Sequence, residues 1–207
     1  MNYDVVVVAS GKGLRAGLGF NKVFYKMKNG KTVLENACDN FINDPDCKKV
    51  VVVTEDADKV FKNPKVTITR GGEKRANSVY NGLVLCESEY VMVHDGARPF
   101  ISKDDIDKLK EALIDTDGAM LAKKAVDTIK LVKDGFVKET IDRKNIYLAM
   151  TPQAFKRELL KAAYETINAD ELTDDASVFE KLNYKVKVVE GDSSNIKLTN
   201  PEDFINL

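Results

Sequence analysis

The residues with the clearest chemistry sit in one short loop, where Gly11, Lys12, Gly13 and Arg15 follow each other closely and Lys22 lies a few positions further on. Glycines at that spacing let the backbone approach a ligand and turn its N–H groups toward oxygen anions. With fixed cations beside it, such a loop suits a polyphosphate. A P-loop would end in Gly-Lys-Ser/Thr, which is absent here. Gly11, Gly13 and Ala16 do satisfy the dinucleotide pattern G-x-G-x-x-G/A, but that pattern must open directly into a helix. Here Gly17 to Asn21 continue the loop, and Glu55 comes well beyond the roughly 20-residue offset of a ribose-binding acid.

Three further clusters could bind anions. His94-Asp95-Gly96-Ala97-Arg98-Pro99 places an acid, two small residues and a cation after a strand. Asp95 there suits a divalent metal or a sugar hydroxyl, and Arg98 a phosphate; an Asp–Arg pair that only braces a turn is the plainer alternative. Arg70-Gly71-Gly72-Glu73-Lys74-Arg75-Ala76-Asn77-Ser78 offers glycines, cations and a helix N-terminus to a base or phosphate, or is simply a solvated helix start. Thr173-Asp174-Asp175-Ala176-Ser177 reads as an N-cap threonine with acids in the first turn, and Lys197 stands between apolar neighbours in an extended piece. No nucleophile and base come as a pair. Positioning chemistry at phosphorus, which needs alignment and charge neutralisation, fits this inventory best.

Stepping outward, Val5-Val6-Val7-Val8 reads as a strand covered on both faces, and ligands in open parallel sheets bind beyond the carboxyl ends of such strands. Strand signals at Tyr3 to Val8, Lys48 to Thr54, Val66 to Thr69 and Tyr90 to Val93 alternate with helix-period segments at Thr32 to Ile42, Lys74 to Cys86 and Asp104 to Ile114. That alternation predicts an α/β fold with a mostly parallel sheet flanked by helices. Ala125 to Val132 and Phe136 to Ile141 flank Asp134-Gly135, a hairpin signal. The hairpin is either a projecting arm or an added edge of the same sheet. A helix through Tyr164, another near Asp174, a strand at Lys185 to Glu190 and a terminal helix opened by Asn200-Pro201 complete the chain. Without repeats or a linker, 207 residues with 43% hydrophobic content read as a single domain, 1–207, with the hairpin at about 121–147.

Lys+Arg 32 against Asp+Glu 33 gives a net charge of -1, so no global basic field exists to attract nucleic acid. Cys38, Cys47 and Cys86 show no metal or disulfide spacing, and His94 is the single histidine. These features, with no signal peptide and no apolar run of about 18 residues, predict a soluble cytoplasmic protein that binds neither nucleic acid nor membrane.

Taken together and in order, Ala9-Ser10-Gly11-x-Gly13-x-Arg15 with Lys22, Gly71-Gly72-x-x-Arg75-x-x-Ser78-Val79, His94 to Pro99, Asp127-Thr128-Ile129-Lys130, Asp142-Arg143, Thr151-Pro152-Gln153, Thr173 to Ala176 and Asn195-Ile196-Lys197 closely resemble one family. It is the 2-C-methyl-D-erythritol 4-phosphate cytidylyltransferase family of the nonmevalonate isoprenoid pathway. The resemblance implies a Rossmann-like fold with a projecting β-arm and transfer of CMP from CTP to the sugar phosphate, with magnesium on the triphosphate. It implies that Arg15 and Lys22 stabilise the pentacoordinate phosphorus, and that Ala9, Ser10, Gly11 and Gly13 hold the triphosphate. Gly72, Arg75 and Ser78 would contact the cytidine, with Asp95, Gly96 and Ala97 also on the nucleotide side and Asp95 as the metal ligand. Arg98, Thr151, Thr173 and Lys197 would position the acceptor. Thr128 and Arg143 would act from a partner's arm, in a homodimer with exchanged arms.

The chain departs from the family pattern in places. It has Val8-Ala9-Ser10-Gly11 for Pro-Ala-Ala-Gly, Arg15-Ala16 for Arg-Met, Asn21-Lys22-Val23 for Pro-Lys-Gln, and Lys123-Lys124-Ala125 where small residues and proline are usual. Ser10 is expected to add a hydroxyl near the nucleotide, and the missing proline before Lys22 to loosen that loop. Ribitol 5-phosphate cytidylyltransferases share much of the set and stand as the alternative; a nucleotide-binding regulator without turnover is the alternative from another class, against which the retained Arg15 and Lys22 argue.

Overall fold

The computed structural model describes residues 1–11, 16–166, 172–205 and 207. Its main sheet has seven strands, in the order β3-β2-β1-β4-β8-β5-β9. These are β1 (Tyr3–Val8), β2 (Cys47–Val53), β3 (Val66–Thr69), β4 (Tyr90–Asp95), β5 (Gly118–Lys124), β8 (Tyr147–Lys156) and β9 (Val186–Glu190). Only β8 runs antiparallel to its neighbours.

The four valines of β1 show why this strand is central. Val5 and Val7 point into one apolar cluster, with Phe41, Ile106 and Leu109, while Val6 points into another, with Val79, Leu83, Phe155 and Phe179. Alternating side chains thus bury both faces, each fully buried valine being worth about 1.5–3 kcal/mol. The first cluster is covered by α1 (Val33–Asn43) and α3 (Lys103–Ala112), the second by α2 (Arg75–Leu83), α4 (Arg157–Thr166) and α5 (Ala176–Lys181). Caps fix these helices in place: Thr32 and Glu35 form a reciprocal capping box on α1, and Ser102 accepts the Asp105 N–H at 3.0 Å on α3.

Two strands escaped the sequence patterns. β5 ends in Lys123-Lys124, and β8 carries Pro152, which argues against an interior strand. The sheet accommodates the proline at an irregularity: Met120 pairs with Gln153 and Ala122 with Ala149, so Pro152, without an N–H, sits where the ladder skips.

The hairpin is a separate ribbon of β6 (Ile129–Lys133) and β7 (Phe136–Ile141), so it is no edge of the main sheet. Asp134 and Gly135 turn it with φ of 52° and 83°, the backbone that an Asp-Gly turn supplies. Its strands are exposed almost throughout. No helix among the described residues is long and apolar enough to cross a membrane.

Candidate active site

The chain leaves β1 toward β2 on one side and returns to β4 on the other, so the carboxyl ends of β1 and β4 form the switch point where open sheets bind ligands. Val8 pairs with Asp95 there, and the Gly96 N–H donates to the Val8 carbonyl at 2.9 Å. Ala9 is buried, Ser10 half-buried and Gly11 exposed at the start of the glycine loop. Gly13 and Arg15 lie outside the described residues.

Lys22 begins a 3-10 turn, Lys22–Phe24, capped by Asn21. Asn21 does more than cap, because its Nδ2 donates to the Ala9 carbonyl at 2.8 Å and ties the lysine's loop to the end of β1. The place where the family has proline is therefore held by a side-chain hydrogen bond. Beneath it a small apolar cluster of Ala16, Val33, Leu198 and Phe204, edged by Tyr25, seats the loop on the C-terminal segment. Lys22 itself lies near Asp203, a carboxylate whose pKa is lowered first by the backbone N–H groups of Asn200 and Thr199 and then by the lysine's charge.

The loop after β3 packs against the loop after β1. A Cβ on Gly71 would stand 2.6 Å from Cβ of Ser10, and one on Gly72 would stand 2.3 Å from Cβ of Asn77, so these two positions require glycine for close approach. Ser78, buried one helical turn in, accepts from the Gly72 N–H and the Ser10 hydroxyl, both at 3.0 Å, and donates to the Lys74 carbonyl at 3.2 Å. Both serine hydroxyls thus brace the two loops. Glu55, set aside in the sequence as too distant for a ribose, accepts the Gly71 N–H at 2.9 Å.

Asp95 is the electrostatic hub. Lys197 Nζ stands 2.8 Å from its Oδ2, Arg98 Nε 3.7 Å from the same oxygen, and Arg75 Nη2 3.5 Å from Oδ1. Burial alone would raise the Asp95 pKa, but Arg75 and Lys197 outweigh it and hold the carboxyl well below the usual range. Arg98 is in turn anchored through Nη1 to the Asn195 carbonyl at 2.8 Å, and Leu198 N–H donates to the Ala97 carbonyl at 2.9 Å, which fixes the segment carrying Lys197 beside the strand-end loop.

His94 and Thr151 shape that loop from below. The Thr151 hydroxyl accepts the Asp95 N–H at 3.0 Å and lies 3.2 Å from His94 Nδ1, while His94 Nε2 lies 3.1 Å from the Arg98 carbonyl. A carbonyl only accepts, so Nε2 carries the proton, Nδ1 is the bare nitrogen and Thr151 donates to it. Burial pushes the His94 pKa down to about 4, which keeps the ring neutral. The proton of the Thr151 hydroxyl and one of its two lone pairs are consequently spent inside the protein.

At Thr173-Asp174-Asp175 the structure corrects the sequence reading. Helix α5 starts at Ala176, Thr173 is exposed, and the side chain that caps is Asp174, which accepts the Ser177 N–H at 3.0 Å. Gln153, fully inside, holds this turn by donating to Asp174 at 2.8 Å and accepting the Ala176 N–H at 2.8 Å. Asp175 instead grips Arg75 through both oxygens, at 3.1 and 2.8 Å. The cluster therefore unites Asp95, Gly96, Ala97, Arg98, Arg75, Thr151 and Lys197. Thr128 and Arg143 lie on the exposed arm region, with the Arg143 guanidinium donating to the Val126 carbonyl.

The family model described as 2-C-methyl-D-erythritol 4-phosphate cytidylyltransferase matches residues 3–206. The chain belongs to this family. The enzyme of that name from Geobacillus kaustophilus is 40% identical over 217 residues, covering 99% of this chain and 95% of the relative. The Bacillus velezensis enzyme is 40% identical over 218 residues, with 99% and 94% covered. The crystal structure of the Francisella tularensis 2-C-methyl-D-erythritol 4-phosphate cytidylyltransferase superposes with a TM-score of 0.86 at 34% identity, covering 99% of this chain and 97% of that one. Membership in the cytidylyltransferase family makes the chain a nucleotidyltransferase, in keeping with a site made of cations and close backbone.

Proposed function

We propose that this protein transfers the cytidylyl group of CTP to 2-C-methyl-D-erythritol 4-phosphate and releases pyrophosphate. The observation that carries this reading is the hub at the switch point, where three cations, Arg75, Arg98 and Lys197, gather around Asp95 at the end of β4, with Arg75 shared with Asp175. Two anionic reactants need charge neutralisation and alignment, and this arrangement offers both.

In the reaction a phosphate oxygen of the acceptor forms a bond to the α-phosphorus of CTP, and the bond from that phosphorus to the bridging oxygen breaks, the electron pair leaving with pyrophosphate. No covalent enzyme intermediate is required. Ala9, Ser10, Gly11 and Gly13 hold the triphosphate, and Arg15 and Lys22 stabilise charge on the pentacoordinate phosphorus. Gly72 and Ser78 form the cytidine side, where Ser78 acts by setting the loop that Gly72 belongs to. Arg75, assigned to the cytidine by the resemblance, has its guanidinium held by Asp175 and beside Asp95 and belongs instead to the acceptor-side cluster. Lys197 and Arg98 meet the acceptor phosphate, and Thr151 acts through the backbone of Asp95. Thr173, exposed on the turn held by Gln153, is assigned to the acceptor side with them.

Magnesium fits this site as an ion carried mainly by the triphosphate. It keeps several waters and asks a protein for one or two carboxylates; Asp95, ionised throughout the working range, would supply one through Oδ1, since Lys197 stands 2.8 Å from Oδ2. No cage of three or more His, Cys, Asp or Glu exists among the described residues. When bound, the ion would neutralise triphosphate charge.

We further propose a homodimer with exchanged arms, in which Thr128 and Arg143 complete the partner's site. The arm supports it by presenting Val126, Phe136 and Val137 to solvent, at 77%, 78% and 63% exposure, more apolar surface than an isolated ribbon keeps in water. A cytoplasmic setting belongs to the same reading, since both substrates are charged phosphates.

The test is pyrophosphate release by the purified protein with CTP and magnesium, offered separately 2-C-methyl-D-erythritol 4-phosphate and ribitol 5-phosphate. Turnover with the first and little with the second is expected. Preference for ribitol 5-phosphate would assign the protein to the polyol alternative, and CTP binding without turnover on either would make it a regulator.

A further inference from the structure

We infer that Asp175 is a positioning residue for the acceptor half of the reaction, because its grip on Arg75 leaves Asp95 free to hold Lys197. The inference rests on the proposed function and extends it to a residue that touches neither substrate.

Two observations separate Asp175 from an ordinary helix start. Its side chain makes no capping bond, that duty falling to Asp174. Its carboxylate is nonetheless fully buried, which is costly unless the charge is paired. The pairing is a fork: Arg75 Nη1 and Nη2 address Oδ1 and Oδ2 at 3.1 and 2.8 Å, and the Tyr164 hydroxyl donates to Oδ1.

Arg75 has a second neighbour. The same Nη2 that bonds Asp175 at 2.8 Å is 3.5 Å from Asp95 Oδ1, while Lys197 and Arg98 approach the other oxygen of Asp95. The cluster is thus three cations shared by two carboxylates, with the guanidinium as the divided member. With Asp175 in place its fork is spent, and Asp95 keeps its short contact for Lys197. Without that carboxylate the nearest anion for the fork is Asp95, and a bidentate Arg75–Asp95 pair would form at the expense of Lys197. Lys197 and Arg98 face the acceptor phosphate, so the damage falls on the acceptor and spares CTP.

The experiment measures pyrophosphate release at saturating CTP against the concentration of 2-C-methyl-D-erythritol 4-phosphate, with CTP binding by calorimetry and thermal melting alongside. Asp175→Asn should raise the acceptor KM at least about tenfold while the CTP Kd stays within about threefold. In Arg75→Gln/Asp175→Asn the competing guanidinium is gone, so the acceptor KM should fall back below that of Asp175→Asn alone. Tyr164→Phe, a gentler change, should raise the acceptor KM about threefold with CTP binding unchanged, and it decides the matter if Asp175→Asn does not fold. A parent-like acceptor KM in Asp175→Asn, a double variant worse than the single, or an unaltered Tyr164→Phe where the single cannot be made, would overturn the inference. The parent's own turnover tests the proposed function separately, so the two failures cannot be confused.

Discussion

Nδ2 of Asn21 lies 2.8 Å from the carbonyl oxygen of Ala9, and through this bond the loop that presents Lys22 is fastened to the last turn of chain leaving β1. Asn21 has φ of −65°, the value a proline ring fixes, so backbone shape and side-chain tie act together.

Removing the tie should therefore cost turnover more than binding. Asn21→Ala is expected to lower kcat about fivefold, the worth of one ordinary hydrogen bond of about 1 kcal/mol, with CTP affinity little changed. Asn21→Pro, which restores the fixed φ, should recover more than half of the loss. Stopped assays on the three proteins check this, and an Asn21→Ala enzyme as fast as the parent would remove the role given to the bond.

The arm supplies a second test. Arg143→Ala should chiefly raise the acceptor KM, and mixing it with Lys22→Ala should restore part of the activity, because one of the two sites in a mixed dimer would then hold both side chains. Subunit mixing followed by pyrophosphate release reads this out. No gain in activity over the two variants taken separately would mean sites built within one chain.

Stability should fall in mildly acid solution for a reason that can be traced to His94. Its pKa drops from 6.5 to about 4 on folding, so between those values the unfolded chain holds more protons than the folded one. The contribution is absent above pH 6.5, grows as the pH falls through the window, and reaches about 2–3 kcal/mol of lost stability at pH 4.5. Denaturant melts at pH 7.5 and 4.5 should show a larger drop for the parent than for His94→Gln. Equal drops would contradict a neutral imidazole held between Thr151 and the Arg98 carbonyl.

Much of this site was legible in the sequence because its pieces are local. A run of four valines announces a doubly buried strand, Gly71 and Gly72 announce the turn into a helix start, and Asp134-Gly135 announces a tight turn, each from the residues themselves. What stayed hidden depends on distant partners. Arg75 and Asp175 are 100 residues apart, and either alone reads as a solvated helix start. Thr173 looked like the cap because threonine followed by acids usually is one; the cap moved one residue on because Gln153, from another strand, holds Asp174 in place. Pro152 concealed β8, since only the skipped pairing beside Met120 makes room for a residue without an N–H. Ser10, expected to offer its hydroxyl to the nucleotide, gives it to Ser78.

The most direct test is to place Lys22→Ala beside the parent and measure CTP affinity and single-turnover rate in the same preparations. A cation that acts on the crowded phosphorus alone predicts a CTP Kd within about threefold and a rate at least about a hundredfold slower. Turnover as fast as the parent's would contradict it.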